Sequence, residues 1–265
     1  METITLRPIF RSIPLQIDCL YRPGYKGAIL YIEGLGCSRY DFAVAADNPE
    51  LKDYTLAAFD FPGMGSSPYP GNLYLSIDDL VDITDMVASR LELQEFTIAG
   101  HSMGGLVALL YTEKYLQHVS AFINIEGNLA AEDCFFSRRI ASCESADTVE
   151  RLLQSLIKRL SHSPEKGLKT YSASLELASA QACLDYSRLL VDYSDNGGLL
   201  GRYTALSVPT VFIYGEQNRG FSYLSLLKSS GCQTVEIARS GHFLFHDNPG
   251  TYCRAITDFV NTVYS

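Results

Sequence analysis

The chain has 265 residues, 47% hydrophobic and 19% charged, a balance that suits a folded globular protein and excludes a disordered or fibrous one. Its 21 basic and 30 acidic residues give a net charge of −9, without the basic footprint that nucleic-acid binding needs. No apolar run reaches the roughly 18 residues of a membrane helix, and seven cysteines without a C-x-x-C pair fit reduced thiols in a cytoplasmic setting better than a disulfide or zinc framework.

The first 18 residues alternate like a strand and contain no uninterrupted apolar signal core. Residues 3–6 and 15–21 flank a turn and predict an antiparallel pair. Short apolar runs follow at 28–32, 55–59, 96–99, 121–125, 210–214 and 234–237. Runs this short, β-branched and apolar on nearly every position suit parallel strands covered on both faces. Helical stripes lie between them. Ser76 and Asp79 form a capping-box pattern ahead of Ile77, Leu80, Val81, Thr84, Val87 and Leu91. Residues 104–115 and 249–263 predict two more helices, the last with proline near its start.

Between Gly127 and about Val208 the alternation of strand and helix lapses. Val149, Leu152, Leu153, Leu156, Ile157 and Leu160 share one helical face. Leu168, Tyr171, Leu175, Ala178 and Ala182 predict a further helix after Pro164, and Asn196-Gly197-Gly198 marks a turn. The expected organisation is an α/β core (1–126), a helical cap insert (127–207) and the rest of the core (208–265). Its sheet would be doubly wound and mostly parallel.

The sharpest chemical signal is Gly100-His101-Ser102-Met103-Gly104, a G-x-S-x-G motif with a strand entering and a helix leaving. A tight turn there lifts the serine hydroxyl above the sheet, while the new helix aims free N–H groups at developing negative charge. A second glycine turn, Glu33-Gly34-Leu35-Gly36, follows the first core strand; Arg39 stands where a dinucleotide fingerprint needs its third glycine. Beside the serine turn it predicts an oxyanion hole formed by the Leu35 and Met103 amides. Ser240-Gly241-His242-Phe243 follows the last strand, at the carboxyl edge of the sheet where ligands bind in open α/β folds. His242 is the expected base for Ser102. His101 is expected to support the turn, and His246, four residues after His242, lacks a third metal ligand.

With these motifs in order, the chain resembles the α/β-hydrolase fold superfamily, specifically its capped members. Residues 59–67, FDFPGMGSS, are similar to the loop those proteins carry after the next core strand, and 209–215, PTVFIYG, to their return strand after the cap. The resemblance covers essentially the whole chain and implies that Asp60 supports the loop around the site. Two positions depart from it. Family members commonly begin the oxyanion loop with His-Gly, where this chain has Glu33-Gly34, and many place the catalytic acid where this chain has Asn218. Some relatives, certain haloalkane dehalogenases among them, carry the acid at the end of the strand before the cap. Here that strand ends at Glu126, 24 residues beyond Ser102. Glu126 is the expected acid and Asn218 the alternative position with a weakened relay. Glu216, or Glu126 as a mere partner of Arg138 and Arg139, are further readings.

The expected function is a serine hydrolase cleaving a carboxylic ester or related acyl bond of a small-molecule substrate, with no cofactor or metal. Phe135, Phe136, Tyr171, Tyr186, Leu189 and Leu190 are candidate pocket residues, and Arg138-Arg139 could meet an acidic substrate, though an exposed helix face explains them as well. Cys37, in the oxyanion loop, reads as a small buried filler. The alternatives are a non-catalytic small-ligand receptor on the same fold, aminopeptidase-like amide hydrolysis, and cofactor-free lyase or perhydrolase chemistry. No feature sets an oligomeric state.

Overall fold

The computed structural model describes residues 1–71 and 73–265. Its main sheet has eight strands. They are β1 (Glu2–Leu6), β4 (Ile17–Arg22), β6 (Thr55–Phe59), β5 (Ala28–Ile32), β7 (Phe96–His101), β8 (Val119–Ile125), β9 (Thr210–Gly215) and β10 (Gln233–Ile237), in that spatial order. A small hairpin, β2 (Ile9–Phe10) and β3 (Ile13–Pro14), sits in the turn between β1 and β4. β1 and β4 run antiparallel, as does β4 against β6, and every later pairing is parallel. Every residue of β5, β6 and β7 is buried, which is why these strands read as unbroken apolar runs rather than alternating ones.

Helices α1 (Ile77–Arg90), α2 (Met103–Lys114), α8 (Leu224–Ser229), α9 (Leu244–Asp247) and α10 (Pro249–Val263) belong to the sheet-forming segments. The capping box at α1 forms: Ser76 accepts from the Asp79 N–H, and Asp79 accepts from the Ser76 N–H. Between β8 and β9 the chain is helical, with α3 (Ser137–Ala141), α4 (Ala146–Leu160), α5 (Lys166–Leu175), α6 (Ala180–Asn196) and α7 (Leu199–Thr204). α4 buries Val149, Leu153, Leu156 and Leu160, the stripe its spacing predicts. The single helix expected over 168–182 is two. α5 stops at Leu175, and a new helix starts after Ser179, whose hydroxyl accepts from the Ala182 N–H. The Ser179 amide is itself held by the Gly63 carbonyl (2.7 Å), a tie to the sheet that no local pattern announces. Among the described residues no helix is long and apolar enough to cross a membrane.

Candidate active site

β7 ends at His101, and Ser102 turns the chain into α2 with φ 52° and ψ −121°. For a residue bearing a side chain this is a strained conformation, of order 1–3 kcal/mol, held here because both flanking elements are buried. Small neighbours make the turn possible. A side chain at Gly104 would stand 2.4 Å from the Ile32 carbonyl oxygen, so α2 begins against the end of β5. Gly105 and Gly127 meet backbone to backbone: a Cβ on Gly105 would lie 2.4 Å from the Gly127 Cα. The Ser102 turn is thereby seated directly on the segment that follows β8.

That segment carries Glu126, also left-handed at φ 45° and only 3% exposed. Its carboxylate is fully engaged. Oε1 accepts from the Gly215 N–H (2.6 Å), the Asn218 side-chain amide donates to both oxygens (2.9 and 2.7 Å), and Oε2 lies 2.6 Å from His242 Nδ1. With the Nδ1–H donating to that carboxylate, Nε2 is left as the ring nitrogen with the free lone pair. Asn218 braces Glu126 through these two bonds, a contact that reading the position against a family pattern could not assign.

His242 and Ser102 line one cavity of about 160 Å³, together with Leu35. The Ser102 hydroxyl bonds to no described residue. Leu35 follows Gly34, and the next peptide is gripped at both ends: the Tyr171 hydroxyl donates to the Leu35 carbonyl (3.1 Å) and the Gly36 N–H donates to Met64 Sδ (3.2 Å). The Leu35 N–H and the Met103 N–H find no acceptor among the described residues. Unpaired amides of this kind are what an oxyanion would need.

His101 is buried beneath His242, with Nε2 3.0 Å from the His242 carbonyl oxygen. Burial and the neighbouring His242 hold its pKa well below the usual imidazole range, so the ring is neutral and its Nε2–H donates. Its Nδ1 then faces the Cys37 sulfur at 3.9 Å. Burial pushes the Cys37 thiol well up, which keeps it protonated. Glu33 sits behind the Leu35 loop and takes the Phe61 N–H on Oε1 (2.7 Å). Burial, with Asp60 nearby, raises its pKa well above the usual carboxylate range, and Oε2 has no partner among the described residues. Asp60 supports its own loop, accepting from the Arg39 N–H (2.7 Å), the Ser66 N–H (2.8 Å) and the Arg39 guanidinium.

Sequence reasoning missed Asp247. Its two oxygens accept from the Gly167 N–H (2.7 Å), at the start of α5, and the Gly241 N–H (3.0 Å), next to His242. Of the candidate pocket residues, Phe135, Phe136, Tyr171 and Leu190 line the cavity. Tyr186 and Leu189 do not; Tyr186 is wholly buried and donates to the Pro62 carbonyl (2.8 Å), locking α6 to the Asp60 loop. His246 is paired with Asp41 (Nε2 to Oδ1, 2.8 Å), and no group of three metal-binding side chains forms among the described residues.

A family model described as alpha/beta hydrolase fold matches residues 27–249. The chain belongs to the alpha/beta hydrolase fold family. Its curated relatives include a monoacylglycerol lipase of Homo sapiens, 25% identical over 273 residues that cover 92% of this chain and 78% of the lipase. Among solved structures, a thermophilic esterase from Thermogutta terrifontis superposes with a TM-score of 0.80 at 18% identity, covering 100% of both chains. A mutant of an N-acyl homoserine lactonase does so with a TM-score of 0.77 at 17% identity, covering 99% of this chain and 97% of its own. At these identities the likeness is one of fold, and it extends over essentially the whole chain.

Proposed function

We propose that the protein is a carboxylesterase-like serine hydrolase working through an acyl-enzyme. The observation that carries the reading is the chain of contacts from Asn218 through Glu126 to His242 Nδ1, which leaves Nε2 basic in the cavity that Ser102 lines. Ser102 Oγ attacks the carbonyl carbon while Nε2 takes its proton. The oxyanion rests on the Leu35 and Met103 amides. Collapse of this intermediate expels the alcohol, which leaves with the proton from Nε2. A water then attacks the acyl-enzyme, gives its proton to Nε2, and the acid departs as Ser102 recovers its own. Glu126 steadies the imidazolium in both halves. The reaction needs no metal or organic cofactor.

Residues 127–207 act as the cap of this site. The cavity volume is close to the ~150 Å³ of an apolar cavity that accommodates benzene, which favours a compact acyl group. Relatives named as lipase, esterase and lactonase all point to carboxylic ester or lactone bonds. Seven free thiols suit a reducing, cytoplasmic compartment.

The test is labelling with a fluorophosphonate, with Ser102→Ala alongside and the adduct located by mass spectrometry. One adduct on Ser102 is expected, and Ser102→Ala should lower kcat for a responsive ester on the order of 10⁶-fold. A folded protein that takes no label, and whose ligand binding survives Ser102→Ala, would instead be a receptor.

A further inference from the structure

The inserted helices carry six arginines, and their surroundings sort them in two groups. Arg138 donates to both oxygens of Asp195 (2.8 and 2.6 Å), Arg151 to the Thr148 hydroxyl (3.3 Å), Arg188 to the Cys143 carbonyl (3.0 Å) and Arg202 to Glu113 (2.9 Å). Arg139 and Arg159 have no acceptor among the described residues. These two, from α3 and α4, are also the two that line the cavity over Ser102.

The rest of that cavity offers them little. Leu156, Leu160, Leu168, Leu190 and Phe243 supply apolar wall. Asp133 is the one carboxylate in the lining, and its oxygens are taken by the Leu129 N–H (2.7 Å), the Ala130 N–H (2.8 Å) and the Tyr223 hydroxyl (2.8 Å). Arg159 lies in the last turn of α4, where a cation suits the helix dipole, but that leaves its five N–H donors unused. In a chain with a net charge of −9, two unpaired guanidiniums facing one apolar cavity run against the general field of the surface.

We propose that Arg139 and Arg159 form an anion-binding subsite at the mouth of this cavity. The preferred substrate is then an ester with an apolar body and a carboxylate or phosphate at the end away from the reacting carbonyl. The inference rests on the serine-hydrolase reading for its chemistry, but the subsite itself rests on the two arginines. Planar guanidinium forks match both anions in two-pronged geometry. Because both side chains are exposed, their effect is screened by salt.

Three aryl esters of equal chain length test this: one with a neutral end, one with a terminal carboxylate and one with a terminal phosphate. Each is measured with wild type and with the Arg139→Gln/Arg159→Gln double variant, at low salt and at high salt. At least one anionic ester should exceed the neutral one about tenfold in kcat/KM through a lower KM, and which one does so separates carboxylate from phosphate. That ratio should fall towards one in the double variant and at high salt. Calorimetric binding of the same esters to Ser102→Ala protein, with and without the double substitution, reads the subsite apart from turnover. Tighter binding of an anionic ester with no hydrolysis by wild type would keep the subsite and remove the hydrolase reading. Equal binding of all three esters, or a preference that survives loss of both arginines in a folded protein, would overturn the proposal.

Discussion

The floor and the roof of the cavity are held by opposite means. On the floor, made from strand ends of the core, polar groups are locked: Glu126 takes four contacts at a strained φ, and Ser102 sits on a turn with glycine backbones pressed against it. On the roof, made from the inserted helices, the surfaces are leucine, aromatic rings and two unpaired arginines. Phe135 is 60% exposed yet lies edge-on to the His242 ring with centroids 5.4 Å apart. Groups that must keep sub-ångström geometry through a reaction are placed where movement is expensive. Groups that would choose among substrates under the proposed reading are placed where a side chain can change without disturbing its neighbours.

The largest expected effect lies on the floor. Glu126→Gln should lower kcat by about 10⁴, the scale seen when the equivalent carboxylate of a serine protease becomes an amide. Asn218→Ala should lower it only ~10-fold, since Gly215 still donates to Glu126. Steady-state kinetics on both variants decide the order, and a larger loss from Asn218→Ala would mean that the carboxylate is not the working acid.

A matched pair of substitutions sharpens the contrast in stability. Gly127→Ala would drive a methyl to 2.6 Å from the Gly105 Cα, an overpacking that should cost about 2 kcal/mol or more and lower Tm by ~5 °C. Phe135→Ala, on the roof, should leave Tm within ~1 °C and raise KM a few-fold. Equal Tm losses for the two would erase the distinction between the regions.

The smallest effect concerns Glu33, a carboxyl that the floor keeps protonated. Burial holds its native pKa well above the usual carboxylate range, so as pH rises through that range the unfolded chain ionises there while the native one does not. The unfolded state then binds fewer protons, and stability falls with rising pH. Glu33→Gln keeps an acceptor for the Phe61 N–H and removes this slope. The variant should match wild type in thermal melts near pH 4 and gain on it steadily towards pH 7; parallel curves would show Glu33 ionised in the native protein.

Much of the floor was legible in the sequence because its chemistry is local. A strand, a five-residue turn and a helix are contiguous at Ser102, and the short apolar runs mark buried parallel strands directly. The roof was less so. Arg138 and Arg139 are neighbours on one short helix, and only the packed structure turns the first to Asp195 and the second to the cavity. Asn218 looked like a missing acid, because its bond to Glu126 spans 92 residues and leaves no trace in either local pattern. The break between α5 and α6 likewise depends on Gly63, far away in the chain. Side-chain pairings across long sequence separations are set by the assembled fold, whereas periodicity reports only the face a segment buries.

Asp247 joins the two regions through one side chain, since the same carboxylate accepts the amide beside His242 and the amide that starts α5. A carboxylate shared in this way couples the loop that carries His242 to the start of the helix beside it. If α5 swings outward, the loop aiming the imidazole loses one of its anchors at the same moment. Under the mechanism proposed above, aim and doorway would then slacken together, and an open site would also be an idle one.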